Sequence, residues 1–248
     1  MNRIAPLLLA AAAGVVLAWR RGQRTAAPPA LGPDAVRALY DRAAPTYDLV
    51  AAAYALVGAD RFHRRAVEAL ALRPGDTVVD LACGTGANLG RLARAVGPTG
   101  RVVGVDLSPE MLARARRRVG RGGWATVELV EGDVRQFAFP APLGGVVSTY
   151  GLEFVPEHDA VVERAVAALA PGRRIVVGGL RRPARWPEWA VRLGALVNRP
   201  FGVTRASEGV RPWRSVFRHA RQVAYEETLG GAVYLAVAAA PPAAPPAP

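Results

Sequence analysis

The chain has 248 residues and a formal net charge of +12, and because it contains no lysine its 32 strongly basic residues are all arginines. This length suits one α/β domain with short appendages, and the missing lysine excludes the nucleotide-binding loop that ends in G-K-S/T. The single cysteine, Cys83, excludes an internal disulfide and fits a reducing compartment.

Residues 4–19 form an uncharged, strongly apolar stretch, and three arginines follow within residues 20–24. A helix of this length spans about 24 Å, somewhat less than the ~30 Å hydrocarbon core of a bilayer. A cleaved signal peptide and a membrane anchor both fit this pattern. The arginines after the stretch favour an anchor over residues 1–21 that leaves the main domain at the cytoplasmic face of the inner membrane. Residues 22–33 are predicted to be a linker.

Helical spacing begins at Asp34, and two helical patterns precede the first predicted strand. The first includes Y-D-R-A-A-P-T-Y-D-L at residues 40–49, and the second includes R-F-H-R-R at residues 61–65. Tyr40 and Tyr47 in the first pattern either pack as ordinary helix aromatics or face a ligand, and the pattern leaves both open.

The central feature is residues 77–106, which predict a strand, a glycine turn, a helix and a second strand. Gly84 and Gly86 let the backbone approach a ligand closely, and the helix that follows offers free N–H donors. Asp106 ends the second strand and suits a contact to ribose hydroxyls. Leu89 stands where a dinucleotide-binding motif has its third glycine, so another nucleotide-containing ligand is favoured.

The remaining patterns complete a seven-stranded sheet. Strands are predicted at residues 127–133, 145–152, 174–178, 223–228 and 232–238, and the last two are joined by a hairpin at Gly230-Gly231. Asp80, Asp106 and Asp133 end three successive strands, where α/β sheets bind ligands. The predicted fold is therefore α/β, with a Rossmann-like, mostly parallel sheet and helices on both faces over residues 34–240. Residues 241–248 are predicted to be a disordered tail.

Three segments resemble class I S-adenosyl-L-methionine (SAM) methyltransferases. D-L-A-C-G-T-G at residues 80–86 is similar to the first motif of that superfamily. Residues 40–49 and Y-G-L-x-x-V at residues 150–155 are similar to segments of ubiquinone/menaquinone C-methyltransferases and bacterial phospholipid N-methyltransferases. The resemblance implies SAM as the cofactor, with N-terminal helices forming a lid over it.

The same resemblance assigns roles to individual residues. It implies that Asp80 and the glycine loop hold the methionine end, that Asp106 holds the ribose, and that Leu107 contacts adenine. Asp133 and Val134 match the positions that meet the adenine amine and a ring nitrogen. The implied SAM-binding residues are Asp80, Ala82, Gly84, Thr85, Gly86, Asp106, Leu107, Asp133, Val134, Thr149 and Tyr47.

Tyr150, Glu153 and His158 are the candidate catalytic residues. The quinone enzymes carry arginine and asparagine where this chain has Glu153 and Phe154, so the charge beside the expected methyl-transfer site is reversed. His158 suits either a general base or a histidine at a helix start. No metal is expected, because methyl transfer depends on positioning and on exclusion of water.

Residues 171–221, which we call the basic segment, contain 12 arginines, three tryptophans and only two acidic residues. Interleaved arginine and tryptophan suit a membrane interface or nucleic acid. The apolar stretch at residues 4–19 favours the membrane, with a lipid or quinone-like acceptor, over nucleic acid. Two alternatives stay open: a methyltransferase for a soluble small molecule or nucleic acid, and a catalytically silent SAM-binding membrane protein.

Overall fold

The computed structural model describes residues 32–56, 58–183, 185–198 and 210–242. The predicted anchor lies outside the described residues, as do nearly all of the predicted linker and most of the C-terminal tail. Within the described part of the chain, no helix is both long enough and apolar enough to cross a bilayer.

Seven strands form one sheet in the order β3-β2-β1-β4-β5-β7-β6. The first five strands of this order run parallel, and β7 lies antiparallel to both β5 and β6. The mostly parallel seven-stranded sheet is thus confirmed. The strands are β1 (Thr77–Leu81), β2 (Arg101–Asp106), β3 (Val127–Glu131), β4 (Leu143–Thr149), β5 (Leu169–Leu180), β6 (Arg221–Thr228) and β7 (Val233–Ala239).

The helices cover both faces of the sheet, which explains why the central strands are apolar nearly throughout. Along β1, Val78 faces one core cluster and Val79 the other, as alternating side chains of a strand must. The helices are α1 (Pro33–Leu56), α2 (Ala59–Ala69), α3 (Leu89–Val96), α4 (Pro109–Gly122), α5 (His158–Ala168), α6 (Glu188–Asn198) and α7 (Pro212–His219).

The start of α4 agrees with its sequence signals. Ser108 has extended backbone angles, and its hydroxyl accepts a hydrogen bond from the Met111 N–H at 3.1 Å. Pro109 occupies the first helical turn, where a missing N–H costs nothing. This cap fixes the direction in which the chain leaves β2.

Several strand boundaries differ from the sequence-based prediction, and β3, for example, ends at Glu131 rather than at residue 133. β4 ends at Thr149 because Tyr150 has a φ of +60°, which is incompatible with an extended strand. β5 is longer than predicted and covers residues 169–180. The connection between β6 and β7 is a 3-10 turn at Leu229–Gly231 rather than a two-residue hairpin loop, since Thr228 pairs with Val233.

Candidate functional site

A cavity lies at the carboxyl ends of β1, β2, β3 and β4, where the strands of a parallel sheet release their loops. α1 lies over this cavity, with Tyr40 and Tyr47 among its lining residues. The loops contribute Ala82, Cys83, Gly84 and Thr85 after β1, Asp106, Leu107 and Ser108 at β2, Asp133, Val134 and Arg135 after β3, and Thr149, Tyr150 and Gly151 at β4.

The glycine turn after β1 depends on backbone angles that other residues rarely adopt. Gly84 and Gly86 have φ values of +55° and +83°. A Cβ atom on Gly84 would meet nothing within 4 Å, so its backbone faces open space. A Cβ on Gly86 would lie 2.7 Å from a Leu89 methyl carbon, so Gly86 is buried against the start of α3. The turn therefore presents bare backbone to the cavity and packs closely behind it.

Asp106 joins the turn after β1 to the turn after β2. One carboxylate oxygen accepts a hydrogen bond from the Gly84 N–H at 2.7 Å, and the other accepts from the Ser108 N–H at 2.9 Å. Burial raises the pKa of Asp106, whereas these backbone bonds lower it. The carboxylate is thus held at the cavity wall in one orientation.

Asp133, after β3, is held by Arg135. The Arg135 guanidinium donates to the carboxylate at 2.6 Å, and the Arg135 backbone N–H donates at 2.9 Å. These bonds lower the pKa of Asp133, so the carboxylate stays ionised and able to accept a further hydrogen bond at the edge of the cavity.

Asp80 lies behind the glycine turn, buried and outside the cavity lining. The Asn88 side-chain amide nitrogen is 3.4 Å from both of its oxygens and 3.0 Å from the Thr149 hydroxyl oxygen. Burial is the main cause that raises the pKa of Asp80 to about 7. Asn88 therefore couples the end of β1 to the end of β4.

His63 and Asn88 are site residues that the sequence analysis missed. The His63 Nδ1 atom lies 2.9 Å from the Asn88 side-chain oxygen, and His63 lines the cavity. The segment around His63 has helical spacing and is similar to the next helix of the same methyltransferase families, but no sequence pattern connects positions 63, 88 and 149. Their contact arises only when α2 packs beside β4.

Aromatic side chains line the part of the cavity between α1 and the loop after β4. We call this set the aromatic wall, and it consists of Tyr40, Tyr47, Tyr150 and Phe154. The Tyr40 and Phe154 ring centroids are 5.8 Å apart in an edge-to-face arrangement. The Tyr150 ring lies 5.9 Å from the His63 ring, also edge to face.

The structure brings Tyr150 to the cavity and places Glu153 and His158 elsewhere. Glu153 is 6% exposed and lies directly against Gly179 of β5, with the Tyr234 hydroxyl 3.2 Å from one of its oxygens. The other Glu153 oxygen has no hydrogen-bond partner among the described residues. Burial raises the pKa of the Glu153 carboxyl group to about 7. His158 begins α5, where Nδ1 lies 3.1 Å from the Val155 carbonyl oxygen.

The comparisons with known proteins agree with this geometry. Residues 78–172 match the family described as a methyltransferase domain, and they include β1 to β4 with the glycine turn and all three strand-end acids. Over these residues the chain is a class I SAM-dependent methyltransferase domain. The cofactor of this family is SAM, and the residues present fit it: the backbone of Gly84 in the cavity lining, Asp106 for hydroxyl groups and Asp133 for an amine.

Two curated relatives and one solved structure define the likeness further. The chain is 36% identical to a 2-phytyl-1,4-naphtoquinone methyltransferase of Synechococcus elongatus over 160 residues, which are 62% of this chain and 66% of the relative. It is 34% identical to a nocamycin O-methyltransferase of Saccharothrix syringae over 159 residues, 61% of this chain and 57% of the relative. The chain thus spans about two thirds or less of these relatives.

The structure of the 4+2 cyclase SpnF is similar with a TM-score of 0.68, covering 88% of this chain and 100% of that one at 16% identity. A likeness at this identity establishes the fold alone. Because this neighbour is a cyclase, the fold by itself does not define a methyl acceptor.

Proposed function

We propose that this chain transfers a methyl group from SAM to a quinone-like ring presented by a membrane. The main support is the cavity itself, in which strand-end carboxylates suited to SAM continue into the aromatic wall. Flat aromatic side chains suit a planar acceptor ring better than a compact phospholipid amine. The likeness to a naphtoquinone methyltransferase supports the same acceptor class.

The residues of the chain bind and orient the reactants. When bound, SAM supplies an electrophilic methyl group. Asp106 and Asp133 then hold the nucleoside end, while the glycine turn holds the methionine end and Asp80 lies buried behind that turn. Tyr40 and the rest of the aromatic wall exclude water and keep the acceptor in line, which is the protein's main contribution to such a reaction.

The lid helix α1 makes polar contacts with the end of β3, with the turn after β2 and with α4. The Ser108 hydroxyl donates to Asp41 at 2.5 Å, and Arg37 pairs with Glu131 at 2.9 Å. Asp48 pairs with arginines of α4 at 3.2 and 3.3 Å. These contacts support a role for α1 as a lid that holds the cavity closed around its ligands.

We further propose that the domain docks on the cytoplasmic face of the inner membrane. The tryptophan patch consists of Trp186, Trp189 and Leu229, whose side chains are 37%, 67% and 54% exposed. Trp186 reaches Gly230, so it lies next to Leu229. Exposed tryptophans beside arginines favour a headgroup region. The stretch at residues 4–19 would add to this attachment.

The charge of the basic segment is partly neutralised in the fold, which argues against nucleic acid. Arg173 pairs with Asp76, Arg181 with Glu227 and Arg218 with Asp159. All three of these acids lie outside the segment. Because these arginines are paired, the surface of the basic segment is less positive than its number of arginines suggests.

Label transfer tests the proposed acceptor. The full-length chain is incubated with methyl-labelled SAM and vesicles that contain 2-phytyl-1,4-naphthoquinol. Lipid-soluble and water-soluble products are then separated by solvent extraction. We expect label in the quinol, and about 10- to 100-fold weaker SAM binding by Asp106→Ala because a charge-assisted hydrogen bond is lost. Glu110→Gln, an exposed acid of α4, is the matched control. Label found only in water-soluble molecules would contradict a membrane acceptor.

A second candidate is O-methylation of a soluble ring compound, which the nocamycin O-methyltransferase relative favours. Supplying a cell extract in place of vesicles tests this candidate. SAM binding without label in either fraction would instead support the catalytically silent alternative.

A further inference from the structure

His63 lies on the β4 side of the cavity, away from the adenine-binding position after β3. The sheet order β3-β2-β1-β4 puts Asp133, after β3, and Thr149, at the end of β4, on opposite sides of the glycine turn. His63 contacts the β4 side, through Asn88 and through the ring of Tyr150. It therefore lies beside the aromatic wall, where the proposed function places the acceptor.

The hydrogen bonds around Asn88 determine which nitrogen of His63 carries the proton. The Asn88 amide nitrogen faces the two Asp80 oxygens and the Thr149 hydroxyl, so it is the donor group. The Asn88 oxygen then faces His63 Nδ1 at 2.9 Å and accepts from it. Nδ1 consequently holds the proton in the neutral ring, and Nε2 keeps its lone pair.

The surroundings of His63 keep the ring neutral. Burial is the largest cause that lowers the pKa of His63 below its ordinary value of 6.5, and Arg91 of α3 and Arg118 of α4 act in the same direction. Asp60 on the same helix and the bond to Asn88 oppose them. At neutral pH a basic nitrogen is therefore present among the residues that line the cavity.

We propose that His63 is the general base of the reaction, and that it accepts the hydroxyl proton of a ring acceptor. This inference rests on the proposed function and narrows its substrates to hydroxylated, reduced rings. Such a ring becomes a sufficient carbon nucleophile once its hydroxyl is deprotonated, which is the step a positioned histidine assists.

The proposed step transfers the hydroxyl proton of the ring and the methyl group of SAM. The hydroxyl proton moves to Nε2, and the released electron pair passes through the ring to the carbon that bonds to the methyl group. The carbon–sulfur bond of SAM breaks and its electron pair stays on sulfur, which leaves a neutral thioether. The methylated ring carbon then loses its own proton to solvent, and Nε2 returns the first proton to the oxygen.

His63→Ala in the full-length chain tests the proposal, with His219→Gln as the matched control. His219 pairs with Asp159 on α5 and does not line the cavity. We expect His63→Ala to lower kcat with 2-phytyl-1,4-naphthoquinol by about 100-fold or more, the usual contribution of a general base. SAM affinity measured by calorimetry should change by less than about threefold, since Asp106 and Asp133 remain.

Chemical rescue separates a base from a structural residue. Added imidazole should restore part of the kcat of His63→Ala and should not change the control variant. Unchanged kcat in His63→Ala would overturn the proposal, and so would a loss of SAM affinity as large as the loss of kcat. If the parent chain binds SAM but does not label the quinol, the proposed acceptor fails.

The protonation state of His63 gives a further test that needs no acceptor. Nitrogen NMR of the labelled parent chain should show a neutral ring at pH 7 with the proton on Nδ1. A protonated Nε2 would overturn the proposal whatever the acceptor.

Discussion

Two buried carboxyl groups, Asp80 and Glu153, have raised pKa values for the same reason but in different surroundings. Both values are about 7, because burial disfavours the charged form. Asp80 adjoins the glycine turn and the Asn88 amide, where a cationic ligand group can stabilise its ionised form. Glu153 lies between Gly179 and Tyr234, with one oxygen unpartnered among the described residues. The first therefore suits ligand binding, and the second costs stability when it ionises.

Glu153→Gln should stabilise the protein above neutral pH. The pKa of Glu153 rises from its ordinary value of 4.5 to about 7 on folding, so stability falls as pH rises between these values. This change in pKa corresponds to a loss of about 3 kcal/mol in the free energy of unfolding above pH 7. The variant should recover much of this loss at pH 8 and little at pH 4.5. Urea unfolding at both pH values measures this difference. Glu163, on α5, is exposed. If Glu163→Gln changed the free energy of unfolding by the same amount, the pH dependence could not be assigned to Glu153.

The SAM affinity of the parent chain should depend on pH through Asp80. Its pKa of about 7 means that below neutral pH the free protein carries a neutral acid there, whereas the positive charge of an ammonium group bound at the glycine turn in front of Asp80 favours the carboxylate. Binding should therefore weaken as pH falls from 8 to 6, by up to about tenfold for each unit below 7. Calorimetry at several pH values measures this. An Asp80→Asn variant should bind weakly at every pH, and an unchanged pH dependence in that variant would exclude Asp80 as the cause.

Among the elements, α1 covers the cavity and is joined by side-chain polar contacts to α4, to Ser108 after β2 and to the end of β3. Asp48 is about one-third exposed, and its partners Arg114 and Arg118 are on α4. Partly exposed ion pairs contribute about 0.2–1 kcal/mol each, so the Asp48 pairs add a small share to the packing that holds α1. Tyr40 and Tyr47 lie on this helix and move with it.

Asp48→Ala should loosen α1 without unfolding the sheet. We expect faster hydrogen exchange in α1, a SAM affinity reduced by about two- to fivefold, and unchanged exchange in β1 and β4. Exchange measured by mass spectrometry with and without SAM tests this. Glu68→Ala is the control, because it removes an exposed ion pair on α2 outside the cavity. Equal exchange in α1 of both variants would show that the Asp48 pairs do not hold the lid.

At the scale of the whole molecule, the tryptophan patch and the cavity belong to one domain, so docking by the patch would hold the cavity near the bilayer. Trp189 is the most exposed large apolar side chain among the described residues. The order of the sheet places the patch beside β6 and β7, at the edge opposite β3. A lipid-borne acceptor would then approach from the β4 side, where the aromatic wall lies.

Brominated phospholipids should quench the fluorescence of the tryptophan patch. The full-length chain is mixed with anionic vesicles that carry bromine near the headgroup, and Trp186→Phe with Trp189→Phe should remove most of the quenching. Vesicles of neutral lipid should quench less, because the arginines around the patch then lose their attraction to the surface. Quenching of the same size in the double variant would assign membrane contact to another part of the chain.

Local sequence patterns were sufficient to predict the sheet, the glycine turn and the acids at the ends of β1, β2 and β3. These features depend on local patterns: apolar runs form buried strands, and positive φ at Gly84 and Gly86 needs glycine. Parallel strands then necessarily bring Asp106 and Asp133 to the same edge. The motif D-L-A-C-G-T-G at residues 80–86 is also local, so its resemblance to the superfamily was sufficient to predict SAM as the cofactor.

The contacts of side chains outside these motifs could be identified only in the folded chain. Glu153 and Tyr150 are three residues apart, yet the positive φ of Tyr150 ends β4, and Glu153 turns into the core against Tyr234 while Tyr150 lines the cavity. The contact of His63 with Asn88 joins two helices separated by a strand. Such contacts depend on packing between elements distant in sequence, which no local pattern contains.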